Sequence, residues 1–161
     1  MALGPSRQTY ETYVEGTCSG VSERGGIMSF VPGVPGLVAY ANAAAVSGQL
    51  VQAAGLLLDD VEALNYYNHP EYRQRNVVPT GSVVGLANEG DFLTDFVETT
   101  GPGAISVGTY APGDVLYLAD NGQVSRNNGT LNNGATAIRV VVGKALSTLG
   151  SDGFLKIRLD V

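Results

Sequence analysis

The chain has 161 residues, enough for one domain with a real core, and 44% of them are hydrophobic, which argues against disorder. A formal net charge of −6 disfavours DNA or RNA as the main partner, because phosphate contacts need a surplus of Lys and Arg. One cysteine, Cys18, rules out a disulfide framework within the chain and a cysteine-based zinc site.

No apolar run approaches the roughly 20 residues that span a bilayer, so no membrane partner is expected. Residues 1–30 show no cationic segment followed by an apolar run, and the chain reads as made in a reducing cytoplasm. With 22 Gly and 7 Pro, turns should be many and long helices few.

Residues 1–30 read as an extended N-terminal arm, rich in Gly, Thr and Tyr, and residues 31–161 as a single β-rich domain. Tyr10, Thr12 and Val14 alternate with Glu11, Tyr13 and Glu15, which permits one short strand in the arm. Such an arm is either frayed or tied down by a partner subunit. Next comes Val31-Pro32-Gly33-Val34-Pro35-Gly36, two Val-Pro-Gly units in a row. Pro sets φ at the second turn position and Gly accepts positive φ at the third, so two type II turns are expected.

Leu37–Tyr40 reads as a strand, and Asn42–Ala45 as a loop returning through Gln49–Gln52. The run from Leu56 to Leu64 fits a helical face or a buried strand, and the turn-rich surroundings favour strand. Residues 65–79 form the most distinctive loop, with Tyr66, Tyr67, Tyr72, Arg73, Arg75 and the sole histidine, His69. Tyr and Arg combine large contact area with polar tips, so partner contact is one reading. A loop folded back over its own barrel is the other.

Gly81–Ala87 and Asp91–Glu98 read as one hairpin pair, Gly101-Pro102-Gly103 as a turn, and Ile105–Thr109 as a short edge strand. Gly113–Arg126 holds two short strands joined by Asn121-Gly122, the strongest short-range hairpin signal, since a type I′ turn needs positive φ at both central residues. Its Gly, Val, Leu, Ala and Gly recur in register from Gly81 onward, with a looser copy from Gly36. Ala137–Leu146 is the longest β run. In Phe154–Val161, Leu155, Ile157, Leu159 and Val161 share one face, and Lys156, Arg158 and Asp160 the other. Short strands with frequent turns define a mainly β fold, a compact barrel or sandwich with tulip or jelly-roll arrangements as variants.

The search for chemistry finds little. A serine triad would have to use His69, which lies in a polar loop, and no Gly-x-Ser-x-Gly motif exists. Cys18 has no local basic partner to make it a nucleophile. Asp59, Asp60 and Glu62 do not match an EF-hand spacing, and the Gly-rich pieces lack phosphate-cradling patterns. No catalytic residue, metal site or cofactor is expected.

Several stretches together resemble the head decoration (cement) proteins of tailed bacteriophages. They are Gly55–Glu62, His69-Pro70-Glu71-Tyr72, Val78–Val83, Gly113–Leu118 with Gly122-Gln123-Val124, and Val142–Leu146 with Asp152-Gly153. The match in pattern and order covers roughly residues 25–161. The resemblance implies a non-enzymatic homotrimer on the outer capsid surface of the virion, touching the major capsid protein and stabilising the expanded head. Tyr10, Tyr13, Tyr66, Tyr67, Tyr72, Arg73 and Arg75 are the expected capsid or subunit contacts. The alternative is a carbohydrate- or cell-surface-binding β module of a phage particle, stacking sugars on Tyr66, Tyr67 and Tyr72; the lack of Trp weighs against it.

Overall fold

An odd number of strands cannot close a barrel with every neighbour antiparallel, and this chain shows the consequence. The computed structural model describes residues 3–7, 12–40, 52–60, 77–78, 80–101, 105–106, 109–128 and 139–161. Its strands are β1 (Leu3–Arg7), β2 (Thr12–Cys18), β3 (Ser22–Glu23), β4 (Ile27–Phe30), β5 (Leu37–Tyr40), β6 (Ala53–Asp60) and β7 (Val77–Val78). Then follow β8 (Val83–Ala87), β9 (Glu89–Thr94), β10 (Thr100–Gly101), β11 (Ile105–Ser106), β12 (Val115–Leu118), β13 (Val124–Ser125), β14 (Val141–Ala145) and β15 (Leu155–Asp160). The order β2-β5-β4-β6-β8 closes into a barrel. Four of its five neighbouring pairs are antiparallel, and β2 against β5 is the parallel pair that parity requires.

The other main layer is a six-stranded sheet, β1-β9-β15-β14-β12-β13, antiparallel throughout. Two short ribbons, β3-β7 and β10-β11, complete the described strands. The mainly β expectation holds, with a barrel and a sheet side by side.

Neighbouring residues in the barrel wall face opposite cores. Met28, Leu57, Val84 and Leu86 point with Cys18 and Val38 into the barrel. Ile27, Leu56 and Ala87 point outward and join Phe92, Leu116, Leu118, Leu155, Ile157 and Leu159 from the sheet. That is why Leu56-Leu57 reads as a continuous apolar run: the strand is covered on both sides. Each such aliphatic side chain contributes about 1.5–3 kcal/mol on burial. The strand reading of this segment therefore holds through Asp60, where its described part ends.

The Asn121-Gly122 turn forms as expected and joins the two layers. Asn121 has φ 56° and ψ 34°, Gly122 has φ 72°, and Gln123 N–H donates to Asp120 O at 3.2 Å. A Cβ on Gly122 would lie 2.9 Å from Ile27 O and 2.8 Å from the Tyr40 ring, so the hairpin tip seats on the barrel where only glycine fits. Beside it, Tyr40 and Phe96 pack with ring centroids 5.8 Å apart, and Thr94 Oγ1 donates to Gly25 O at 3.0 Å. Within the sheet, a Cβ on Gly143 would fall 1.9 Å from Arg158 O, so glycine is required for β14 to lie against β15.

The internal repeat is real at the level of backbone bonds. Gly81 N–H donates to Cys18 O and Ser82 O accepts from Cys18 N–H, at 2.8 and 2.9 Å. Gly113 N–H and Asp114 O make the same two bonds with Ala145, both at 2.8 Å. Val84, Leu86 and Ala87 are buried where Leu116, Leu118 and Ala119 are buried. The copies part at the next turn. Where one has Asn121, the other has Glu89, which has no comparable ease at positive φ.

Consequently the expected hairpin of Gly81–Ala87 with Asp91–Glu98 does not form. Asn88 alone separates β8 from β9, too little chain for a reversal. The strand instead leaves the barrel, where it pairs with β2 and β6, and enters the sheet between β1 and β15.

Other expectations also shift. Of the residues expected to form an arm, β2 and β4 are barrel staves and β1 edges the sheet. The described part of Ala137–Leu146, which starts at Arg139, holds β14, shorter than the eight-residue β6; Arg139, ahead of β14, turns inward to an ion pair. Within Ile105–Thr109, Ile105–Ser106 forms β11, and residues 107–108 lie outside the described residues. Leu155, Ile157 and Leu159 are buried as expected, but Val161 is 39% exposed, past the end of β15. Asn42–Ala45 and the later part of the looser copy from Gly36, at residues 41–51, lie outside the described residues.

Candidate functional site

Among the expected contact residues, only Tyr13 falls in a described element: its backbone pairs with Leu86 in the β2–β8 ladder. Tyr10, Tyr66, Tyr67, Tyr72, Arg73 and Arg75 lie outside the described residues, as does His69. The side chains of Asp59 and Asp60, which end β6, are also outside the description. Among the described residues no group of three or more His, Cys, Asp and Glu gathers to hold a metal. Cys18 is buried inside the barrel, its Sγ donating to Gly20 O at 2.9 Å with Ser22 Oγ at 3.3 Å. Burial under such bonds suits packing rather than nucleophilic attack.

One polar cluster was not foreseen. Glu98 and Arg139 are both buried, and two parallel bonds join them: Arg139 Nη1 to Glu98 Oε2 at 2.7 Å and Nη2 to Oε1 at 3.2 Å. Nη1 also donates to Asn127 O at 3.3 Å. Tyr110 Oη donates to Glu98 O at 2.6 Å, and Glu98 N–H donates to Val124 O at 2.9 Å. Burial, then the Glu98 carboxylate, push the Tyr110 phenol up to about 12. Four separated segments thus meet at one glutamate. Pairing and hydrogen bonding offset the burial of these charges, while Arg139 Nε is buried with no hydrogen-bond partner among the described residues. The cluster joins these segments of the described chain through buried polar bonds.

The solvent face of the sheet follows from the alternation in β15. Directly opposed neighbours run Asp91, Arg158, Lys144 and Val115 across β9, β15, β14 and β12. Arg158 Nε and Nη2 donate to Asp91 at 2.8 and 3.2 Å, and this bonding holds the Asp91 carboxyl below its usual range. Leu93 opposes Lys156, and Tyr117 opposes the exposed Val141. Charges of both signs and isolated apolar residues make this an ordinary solvated face.

The second exposed feature is the β4–β5 connection. Val34 N–H donates to Val31 O and Leu37 N–H to Val34 O, each at 3.3 Å, while Val31 N–H donates to Leu37 O at 2.9 Å. Gly33 and Gly36 have φ 78° and 75°. The double type II turn is therefore formed as expected. Pro32 to Gly36 are all exposed, and the stretch from Phe30 to Gly36 borders a shallow apolar concavity open to solvent.

The described residues thus define a β protein with turns, packing and surface contacts, and with no assembled catalytic group among them. No protein-family profile and no curated protein sequence matches this chain. Among solved structures, a chain in the capsid of Myoviridae Phage XM1 has a similar fold, with a TM-score of 0.56 at 14% identity. The likeness covers 99% of this chain and 91% of that one. At that identity it shows a shared fold.

Proposed function

We propose that this protein is a structural component of a phage virion: a homotrimer on the outer capsid surface that contacts the major capsid protein and cements the expanded head. The observation that carries the reading is the fold shared, over 99% of the chain, with a chain of a solved phage capsid. The resemblance in pattern to head decoration proteins points the same way. A protein that binds only the assembled shell stabilises it by mass action, without bond-making or turnover. Three copies linked in one particle convert modest contacts into high avidity. Tyr10, Tyr13 and the loop carrying Tyr66, Tyr67, Tyr72, Arg73 and Arg75 are the proposed contacts.

The test is to mix the purified protein with expanded, DNA-free heads and follow co-sedimentation, with light scattering for the mass of the free protein. A trimer that saturates expanded heads and raises their disruption temperature is expected. A monomer that leaves heads bare would overturn the reading. Contacts are better tested by Tyr10→Ala or Tyr66→Ala than by truncating residues 1–25, because that truncation removes the β2 stave of the barrel.

A further inference from the structure

We propose that Asn121-Gly122 is a gated modification site: the seated hairpin tip blocks deamidation there, and the peptide reacts only when the tip lifts off the barrel. Nothing in this depends on what the protein binds, since the gate is the joint between the two layers. An asparagine followed by glycine is the sequence most open to this reaction, because glycine has no Cβ to hinder attack by its backbone nitrogen. Gly122 N attacks Asn121 Cγ and gives up its proton, the Cγ–Nδ2 bond breaks, and the amide nitrogen takes a proton and leaves as ammonia. Water then opens the five-membered imide at either carbonyl, leaving aspartate or isoaspartate, with nothing oxidised or reduced. Asn121 is exposed, so that water is at hand.

The backbone supplies the block. Closing the imide requires Gly122 N and Asn121 Cβ to eclipse across the Cα–C bond. At ψ 34° the two lie nearly anti, so the nitrogen is turned away from the carbon it must attack. Rotating ψ to bring them together would swing the chain on one side of the turn, and both sides are held. The turn is closed by Ala119 N–H donating to Gln123 O at 2.8 Å and Gln123 N–H donating to Asp120 O at 3.2 Å. Beyond Asn121, buried Gly122 is seated so closely that a Cβ there would lie 2.9 Å from Ile27 O and 2.8 Å from the Tyr40 ring. Attack therefore waits for a local opening, whose population sets the rate. Isoaspartate adds one atom to the main chain where even a Cβ has no room, so a tip modified in this way cannot reseat.

The experiment incubates the purified full chain at mildly alkaline pH and follows deamidation of Asn121 by peptide mapping and mass spectrometry. A synthetic peptide of residues 119–124 gives the ungated rate in each buffer. Folding should slow Asn121 at least about tenfold against that peptide, and full unfolding in urea should restore the peptide's rate. Tyr40→Ala keeps the Asn-Gly pair but removes the ring against Gly122. It should raise the Asn121 rate several-fold while circular dichroism shows the fold intact. If Tyr40→Ala does not fold, wild type in urea below its unfolding transition decides: Asn121 should accelerate before the molecule unfolds. An Asn121 that reacts as fast in the folded protein as in the peptide overturns the gate. A folded Tyr40→Ala protein with the wild-type rate, or acceleration only on global unfolding, also overturns it and leaves the whole fold as the protection.

Discussion

The barrel and the sheet solve the same problem in different ways. Closure gives the barrel no free edge, and its interior is filled by Met28, Val38, Leu57, Val84 and Leu86, with Cys18 as a small hydrophobe. The sheet cannot close. It covers one face with the barrel wall, leaves the other to water, and anchors its β13 end through the buried Glu98–Arg139 pair and Tyr110. A sealed shape tolerates a purely apolar core, whereas an open edge needs directional bonds to fix where the chain returns.

Replacing Arg139 tests this contrast most severely. Arg139→Met should cost about 3–5 kcal/mol by leaving the Glu98 carboxylate buried without its partner. Adding Glu98→Gln should recover much of that loss in urea denaturation. If the single variant is neutral, the pair does not anchor the sheet.

Gly122→Ala attacks the joint between the layers. The new Cβ meets Ile27 O and the Tyr40 ring, and the positive φ adds strain, for a total of about 2–3 kcal/mol. Near-ultraviolet dichroism of the tyrosines should report a disturbed Tyr40–Phe96 contact before global unfolding.

A third probe is alkaline titration. The folded phenol of Tyr110 titrates at about 12, above its ordinary value of 10.0. Because the folded value is raised, this contribution to stability is complete below pH 10 and is lost as pH rises towards 12. Tyrosinate absorbance of Tyr110→Phe against wild type should show the missing residue to be a late-ionising one. A difference spectrum that develops near pH 10 would place Tyr110 in water.

The smallest effect belongs to the barrel. Cys18→Ala removes one sulfur and a weak donor, so about 1 kcal/mol is expected from thermal melting. A cost rivalling that of Arg139→Met would erase the distinction between the layers.

Local chemistry was legible in the sequence, and long-range choice was not. Asn121-Gly122 and the two Val-Pro-Gly units specify their turns because the φ demands fall on the residues themselves. The alternation of Leu155, Ile157 and Leu159 shows one buried face for the same reason. Nothing local says that β8 and β9 lie in different layers, since both read as short strands around a polar residue. The Glu98–Arg139 pair is equally silent: 41 positions separate its members, and no periodicity links them. For the proposed contacts, composition could single out Tyr66 to Arg75 as unusual, but contact depends on a partner's surface.

The passage of one strand from barrel to sheet through Asn88 has a mechanical consequence. The continuous backbone from Val83 to Thr94 is a tie bar: tension between the two layers runs into covalent bonds rather than across a noncovalent seam. The ladders flanking this tie run along its length, so a pull along it loads their hydrogen bonds together, in shear, rather than one at a time.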